Sequence, residues 1–213
     1  AVQITGSHNP PEFNGFKISY NQRAFYGEQI QDLRKLMEDE DFEIGVGSIE
    51  EIDIMTPYQT MLKEKISIDR PLKVVIDCGN AAACLSAPDI FPAVGVETHE
   101  LYCDVDGTFP NHHPDPTEDH NLLELVKQVK SGDYDFGVAF DGDADRVVAV
   151  DERGCIIRSD ILMAVFIPEV IKNPRDSIVF DVKCSQALED TIIKYGGKPV
   201  MWKTGHSLIK DKM

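Results

Sequence analysis

The sequence predicts an α/β fold, with repeated strand–helix units on mixed sheets, and three observations carry that prediction. Apolar runs of strand length alternate with runs at helical spacing along most of the 213 residues. One unit, "LKVVIDCGNAAACLSAPDIFPAVGVETHELY", reads strand, Asp, turn, helix, Gly, strand, and "SIVFDVKCSQALEDTIIKYGGKPVMW" repeats that order. Between them, "YDFGVAF" and "RVVAVDERG" are extended runs around a polar turn and read as a hairpin.

The elements follow in order. Val2 to Thr5 and Phe16 to Tyr20 are short strands. Glu28 to Glu40 carries Ile30, Leu33, Leu36 and Met37 at helical spacing, an amphipathic helix whose acidic end, "MEDEDFE", is solvated. Thr56 and Pro57 read as the cap and first turn of the next helix, which puts a boundary near Ile52 to Met55. "LKVVIDCGN" is an apolar strand ending on Asp77, "NAAACLSAPDIFPAVG" a helical region and "VETHELY" a strand. A long polar loop, "CDVDGTFPNHHPDPTEDHN", leads into the helix "LLELVKQVKSG", and "YDFGVAF" is a buried strand that stops on Asp141. "ILMAVFIP" (Ile161 to Pro168), the longest apolar patch, suits a buried helix. A second boundary falls near Arg153 to Ile156, so the expected division is 1–52, 53–154 and 155–213.

Composition narrows the function classes. Apolar content of 42% and charged content of 27% fit a soluble globular protein. A net charge of −16 argues against non-specific binding to nucleic acid or to an anionic membrane, but not against an anionic small substrate held by a few basic residues in a cleft. No apolar run reaches the length of a membrane span, and no signal peptide opens the chain. The five cysteines form no CxxC pair, which favours free thiols in a reducing cytosol over a disulfide framework or zinc site. Ala1 lies in a strand pattern and Met213 in a helical one, so a piece truncated at both ends is expected.

Two loops carry chemistry. In "FDGDADRV", Asp141, Asp143 and Asp145 stand at i, i+2 and i+4 after an apolar strand, with Gly142 and Ala144 between them. The small residues let the backbone curl until three carboxylates converge, and such a group needs a cation; oxygen-only ligands favour Mg²⁺ or Ca²⁺. An EF-hand loop is excluded because Arg146 stands where its glycine is needed, although Glu152 falls at the twelfth place. Asp143-Ala-Asp145-Arg-Val147 also fits the D-x-D-x-[TV] motif of haloacid-dehalogenase-like phosphatases, with Asp143 as nucleophile. A non-catalytic divalent-cation-binding domain is a third reading.

The second loop, "TGSHNPPEFNGFKI", sets Ser7 between Gly6 and His8 in a turn of small residues. Such a turn exposes a hydroxyl and can aim backbone N–H groups at a phosphate. A bare serine is a weak nucleophile, whereas a serine that carries a phosphoryl group needs a metal and cations, which "DGDADR" supplies as carboxylates and Arg146. Asn9 and Asn14 tie the loop, and Lys17 follows at a strand start. "NHHPDP" (Asn111 to Pro116) resembles a metal site, but neighbours in a Pro-rich loop rarely reach one ion, so a rigid loop is the better reading.

Both loops together resemble the α-D-phosphohexomutases, most closely their bacterial phosphomannomutase/phosphoglucomutase branch. That family carries a "T-[AG]-S-H-N-P…G-[FY]-K" phosphoserine loop and a "D-G-D-x-D-R" Mg²⁺ loop, and "KTGHSLIK" (Lys203 to Lys210) is similar as well. The resemblance runs through nearly the whole chain. It implies that residues 1–52 are the C-terminal part of the phosphoserine domain, 53–154 the metal-binding domain, and 155–213 the N-terminal part of the sugar-binding domain.

The resemblance also implies roles. Ser7 would be the phosphoserine and a metal ligand beside Asp141, Asp143 and Asp145. Arg146, Lys183 and His206 would contact phosphate or sugar, Lys17 would serve as acid/base with His8 in support, and Thr204 and Gly205 would lie near sugar hydroxyls. The implied activity is a cytoplasmic phosphohexose mutase acting on mannose and/or glucose phosphates, with hexose 1,6-bisphosphate as activator. The family's "G-E-x-S-G-H" loop and last domain have no counterpart here, so these 213 residues alone are not expected to turn over.

Overall fold

The computed structural model describes residues 1–213. In chain order its elements are β1 (Val2–Ile4), β2 (Phe16–Tyr20), β3 (Arg23–Ala24), α1 (Glu28–Glu38), α2 (Met55–Lys65), β4 (Leu72–Asp77), α3 (Ala87–Ala93), β5 (Val96–Leu101), α4 (Leu123–Ser131), β6 (Phe136–Phe140), β7 (Val147–Asp151), β8 (Ile156–Ile157), α5 (Ser159–Val170), β9 (Ser177–Asp181), α6 (Gln186–Lys194), β10 (Lys198–Trp202) and α7 (His206–Lys212). The chain divides into two compact units, one of Ala1–Ile4, Phe16–Ile52 and Phe166–Met213, the other of Thr5–Gly15 and Asp53–Val165.

The second unit is built on a five-stranded mixed sheet in the order β5-β4-β6-β7-β8. β4 runs parallel to both β5 and β6, and β6–β7 and β7–β8 are antiparallel. Val74, Val75, Ile76 and Asp77 of β4 are all buried, so this strand reads as a continuous apolar run and not as an alternating one. Val74 and Ile76 face Ala83, Ala87, Val96 and Val138. Val75 packs on the opposite face with Leu125 and Val129 of α4, together with Ala139, Val148 and Val150. With both faces covered, the polar ends of the strands are where loops can build a site.

Two local expectations need correction. α2 is capped not by Thr56 but by Asp53, whose Oδ1 accepts the N–H groups of Met55 (2.9 Å) and Thr56 (3.2 Å). The helical region after Asn80 breaks into a 3₁₀ turn (Ala82–Leu85) followed by α3. Pro88 falls in the first turn of α3, where its missing N–H leaves no helical bond unmade and its fixed φ suits the start of a helix.

The first unit holds an antiparallel β1-β2-β3 sheet and the parallel pair β9–β10. The internal repeat is visible in atomic detail. β4 with β5 and β9 with β10 are both parallel pairs joined through helix, and both leading strands end on an aspartate. Asp77 Oδ1 accepts the Gly79 N–H at 3.0 Å, and Asp181 Oδ1 accepts the Lys183 N–H at 2.9 Å, the same Asx turn twice. "ILMAVFIP" does form a helix, α5, but a largely exposed one. Only Ile167 is buried, and Val165, Phe166 and Val170 are more than half exposed. A helix apolar around its whole circumference cannot be covered by one packed face.

The five cysteines are free thiols, with Cys78 and Cys103 in sulfur contact at 3.1 Å within the β4–β5 core.

Candidate functional site

The site is made by two loops of one unit, the serine loop (Thr5–Gly15) and the loop that joins β6 to β7. The serine loop is two tight turns in succession. Gly6 O accepts the Asn9 N–H and Pro10 O accepts the Phe13 N–H, each at 2.9 Å, and the Thr5 N–H to Gly15 O bond closes the base at 2.9 Å. Asn14 Oδ1 caps the Gly15 N–H at 2.8 Å. Ser7 lies in the left-handed region, with φ of 49°, a conformation that costs a non-glycine residue energy unless its surroundings hold it. They do: the Ser7 N–H donates to Thr5 Oγ1 at 2.8 Å, and its hydroxyl donates to Asp141 Oδ2 at 3.1 Å.

"DGDADR" is the hairpin loop itself. Phe140 pairs with Val147 at its mouth, Asp141 N–H donates to Arg146 O at 3.2 Å, and Ala144 N–H donates to Asp141 O at 2.9 Å. Ala144 takes the left-handed conformation, with φ of 58°, which curls the loop between the last two aspartates. Asp141 is fully buried and is met on both oxygens by Arg146. The Arg146 main-chain N–H reaches Oδ1 at 3.0 Å and its Nε–H reaches Oδ2 at 2.8 Å. The Arg146 Nη2 group also donates to Ser7 Oγ at 2.9 Å and touches His8 Nδ1. His8 Nδ1 is 3.2 Å from Ser7 Oγ. The hydroxyl of Ser7 therefore sits in a cage of one carboxylate, one guanidinium and one imidazole.

Gly142 makes the close approach of the two loops sterically feasible. A Cβ on it would lie 1.9 Å from Ser7 O. Asp141, Asp143 and Asp145 each turn an oxygen into a group whose members lie within 4.8 Å of one another. Three carboxylate oxygens at that spacing, all hard donors, fit a small divalent cation of the Mg²⁺ type and do not suit zinc. Asp143 is also held from the serine loop, with Thr5 Oγ1 donating to its Oδ2 at 2.9 Å.

The "NHHPDP" loop supports this arrangement and is no ligand cluster, because its three candidate ligands go to three different partners. His112 Nε2 reaches both oxygens of the buried Asp77 at 3.0 Å, and its Nδ1 lies 2.9 Å from the His113 carbonyl. His113 Nε2 donates to the main-chain oxygen of His8. Asp115 accepts from the N–H and hydroxyl of Thr117 at 3.0 and 2.7 Å. Burial disfavours the charge on His112, but the hydrogen bond and negative charge of Asp77 outweigh it and hold the imidazole above its usual pKa. Burial would raise the Asp115 carboxyl, but the Thr117 bonds, helped by His8 and Arg146, bring it below the usual carboxylate range.

Ser7, His8, Asp141, Asp143, Asp145 and Arg146 are thus gathered in one unit. The remaining candidates belong to the other. Lys17 is in β2, paired with Gln3. Lys183 follows β9 in the Asx turn of Asp181, and Thr204, Gly205 and His206 follow β10, with Gly205 at φ 141° leading into α7. Asp181 pairs with Trp202, so these two loops leave neighbouring parallel strands at the same end of their sheet. Sequence reasoning gave no role to the Thr5 hydroxyl, did not foresee that Gly142 is needed for contact with the serine loop, and did not foresee that His113 holds the His8 carbonyl. The local signals were the hydroxyl two residues before Ser7 and the small residue between Asp141 and Asp143; partners 105 and 138 residues apart leave none.

Comparison with known proteins gives this geometry its context. Residues 56–154 match the family description "Phosphoglucomutase/phosphomannomutase, alpha/beta/alpha domain II", and residues 158–213 match domain III of the same family. The chain belongs to the phosphoglucomutase/phosphomannomutase family. A phosphomannomutase/phosphoglucomutase of Pseudomonas aeruginosa is 50% identical over 213 residues, which is the whole of this chain and 46% of that protein. A phosphoglucomutase of Neisseria meningitidis is 43% identical over 100% of this chain and 47% of its own length. The crystal structure of a phosphoglucomutase/phosphomannomutase family protein from Burkholderia thailandensis superposes with a TM-score of 0.96 at 46% identity, over 99% of this chain and 46% of that one. The chain spans about half the length of the family members it matches. The mixed sheet with helices on both faces is what the domain II description names.

Proposed function

We propose that this chain is part of a phosphohexose mutase that interconverts hexose 1-phosphate and hexose 6-phosphate, of mannose and/or glucose, through phosphoserine at Ser7 and a hexose 1,6-bisphosphate intermediate. The observation that carries the reading is the Ser7 cage. Its Oγ lies between Asp141 Oδ2 and Arg146 Nη2, beside three converging carboxylates. The names of the relatives support it.

Asp141, Asp143 and Asp145, with an oxygen of the phosphorylated serine, would hold Mg²⁺. The ion supplies charge neutralisation for the transferring phosphoryl group. Ser7 carries that group. In the first transfer the Oγ–P bond of Ser7 breaks and a P–O bond forms to the free hydroxyl of the sugar phosphate; in the return transfer the sugar's other O–P bond breaks and the Oγ–P bond of Ser7 forms again. The sugar's proton passes to a base, and Ser7 Oγ regains one. Arg146, already donating to Oγ, stabilises charge on the departing oxygen. Lys17 is the acid/base candidate, with His8 in support. Lys183 and His206 are assigned to phosphate and sugar, and Thr204 and Gly205 to sugar hydroxyls. The bisphosphate then reorients and returns its other phosphate to Ser7.

The chain divides, in this reading, into parts of a phosphoserine domain (1–52), a metal-binding domain (53–154) and a sugar-binding domain (155–213). Hexose 1,6-bisphosphate serves as activator. A cytoplasmic location and no nucleic-acid or membrane partner are part of the reading; the net charge of −16 supports it against non-specific binding to polyanions, and no helix is long and apolar enough to cross a membrane. The phosphatase reading at Asp143 is not favoured, since the relatives are named as mutases and Asp143 Oδ2 is engaged by Thr5.

Intact-mass and peptide mapping after incubation with glucose 1,6-bisphosphate and Mg²⁺ test the proposal. Phosphate on Ser7, lost in Ser7→Ala, is the expected result. Label on Asp143 would replace the mutase with the phosphatase, and a protein that takes up no phosphate would overturn both.

A further inference from the structure

The geometry points to Thr5 as a positioning residue that couples the main chain of Ser7 to the cation-binding hairpin loop and so sets that loop's affinity for a divalent cation. This rests on the mutase reading of the site. A hydroxyl has one proton to donate and lone pairs to accept with. Thr5 Oγ1 uses both capacities. It accepts the Ser7 N–H at 2.8 Å, and its proton is committed to Asp143 Oδ2 at 2.9 Å. The accepting carboxylate stands 138 residues further on in the chain. The Thr5 main chain is fixed too, since its N–H closes the base of the serine loop on Gly15 O at 2.9 Å.

Two consequences follow from that pair of hydrogen bonds. The carboxylate of Asp143 would otherwise turn about its terminal torsion, which is broad and roughly two-fold; a bond to one oxygen removes that freedom. Fixing its rotation before the cation arrives lowers the ordering cost of binding. The amide of Ser7, in a left-handed conformation with φ of 49°, is anchored by the same oxygen, which ties the main chain of the serine and the carboxylate of Asp143 to one side chain. Threonine suits the task better than serine because its branched side chain is stiff at χ1. The contact is specific to a hydroxyl: an amide side chain is too long for it, and an apolar one leaves the Ser7 N–H and Asp143 without this partner.

The test compares Thr5→Val, which keeps shape and loses the hydroxyl, with Thr5→Ala and Thr5→Ser. Binding of Mn²⁺, followed by the electron paramagnetic resonance of the free ion, is the first readout. Incorporation of phosphate into Ser7 from glucose 1,6-bisphosphate at saturating Mg²⁺ is the second. Loss of an outer partner of a metal ligand commonly weakens binding about 10–100-fold. Thr5→Val and Thr5→Ala should therefore bind Mn²⁺ at least about tenfold more weakly and load Ser7 more slowly, while Thr5→Ser stays within about threefold of the unsubstituted protein. Thermal melting identifies a variant that has lost its fold, and the other two then decide. Unchanged Mn²⁺ affinity in Thr5→Val or Thr5→Ala overturns the inference, as does a Thr5→Ser variant as weak as Thr5→Val. If the underlying reading is at fault the pattern differs: the unsubstituted protein itself takes up neither Mn²⁺ nor phosphate, which overturns both.

Discussion

Gly142 and Ser7 meet main chain to main chain: a Cβ on Gly142 would lie 1.9 Å from the carbonyl oxygen of Ser7 and 2.9 Å from its carbonyl carbon. The contact is with backbone, so no side-chain rotation can relieve it. We expect Gly142→Ala to push the serine loop away from Asp141 and Arg146. A displacement of about 1 Å at a reacting group costs about 10²-fold in rate, so Ser7 phosphorylation should fall by that order. The β6–β7 strands lie outside the clash, and the melting temperature should change little. Phosphate incorporation at normal rate would show that the loops do not need this approach.

Arg146 serves Asp141 and Ser7 at once, and lysine cannot reproduce that. Its Nε and Nη2 groups divide between the carboxylate and the hydroxyl in the fixed fork of a guanidinium. Arg146→Lys should keep the charge yet lose about 10²-fold in phosphoryl transfer. Arg146→Ala also strips Asp141 of its charge partner. Asp141 is 0% exposed, but the Arg146 side chain is 35% exposed, so solvent softens the loss; about 1–3 kcal/mol is expected in urea denaturation. Saturating Mg²⁺ should recover part of it, since a bound cation would compensate the carboxylate.

His112 makes stability depend on pH. Its folded pKa lies above the ordinary 6.5, because the bond to Asp77 and its charge prevail over burial. A raised folded pKa means that the stabilisation is complete below about pH 6.5 and is lost as pH rises through the folded value. The urea midpoint of the protein should therefore fall on going upward from about pH 6.5. His112→Gln should be flatter across that window and less stable at its acid end. A midpoint that rises over the same range in the unsubstituted protein would contradict the assignment.

Leu125 reports on the scaffold alone. It is 0% exposed and packs from α4 onto Val75, Ala139 and Val150. Leu125→Ala should cost about 2–5 kcal/mol. Cation affinity per folded molecule should not change, because the core that Leu125 joins is made of sheet and helix residues that supply no ligand. Mn²⁺ titration at a temperature where the variant is folded checks this.

The hairpin loop was legible in the sequence because its logic is local. An apolar strand that stops on Asp141, small residues at Gly142 and Ala144, and carboxylates at alternate positions suffice to announce converging oxygens. The strand–helix–strand repeat was legible for the same reason, down to the aspartates that end β4 and β9. Burial was not so readable. "ILMAVFIP" promised a core helix by composition and formed α5 with its apolar residues largely exposed, since composition does not say which surfaces are covered.

The sequence by itself determined the order of strands and helices, the serine turn and the acidic loop, and it set a net charge of −16. Tertiary structure alone decided which groups meet. The Thr5 hydroxyl serves Ser7 and Asp143 together, His113 holds the carbonyl of His8, and His112 is spent on Asp77. The physical reason is range. Backbone propensity and side-chain periodicity act over a few residues, whereas a hydrogen bond between residues 138 apart exists only once the packed β6–β7 hairpin presents its loop to the serine turn.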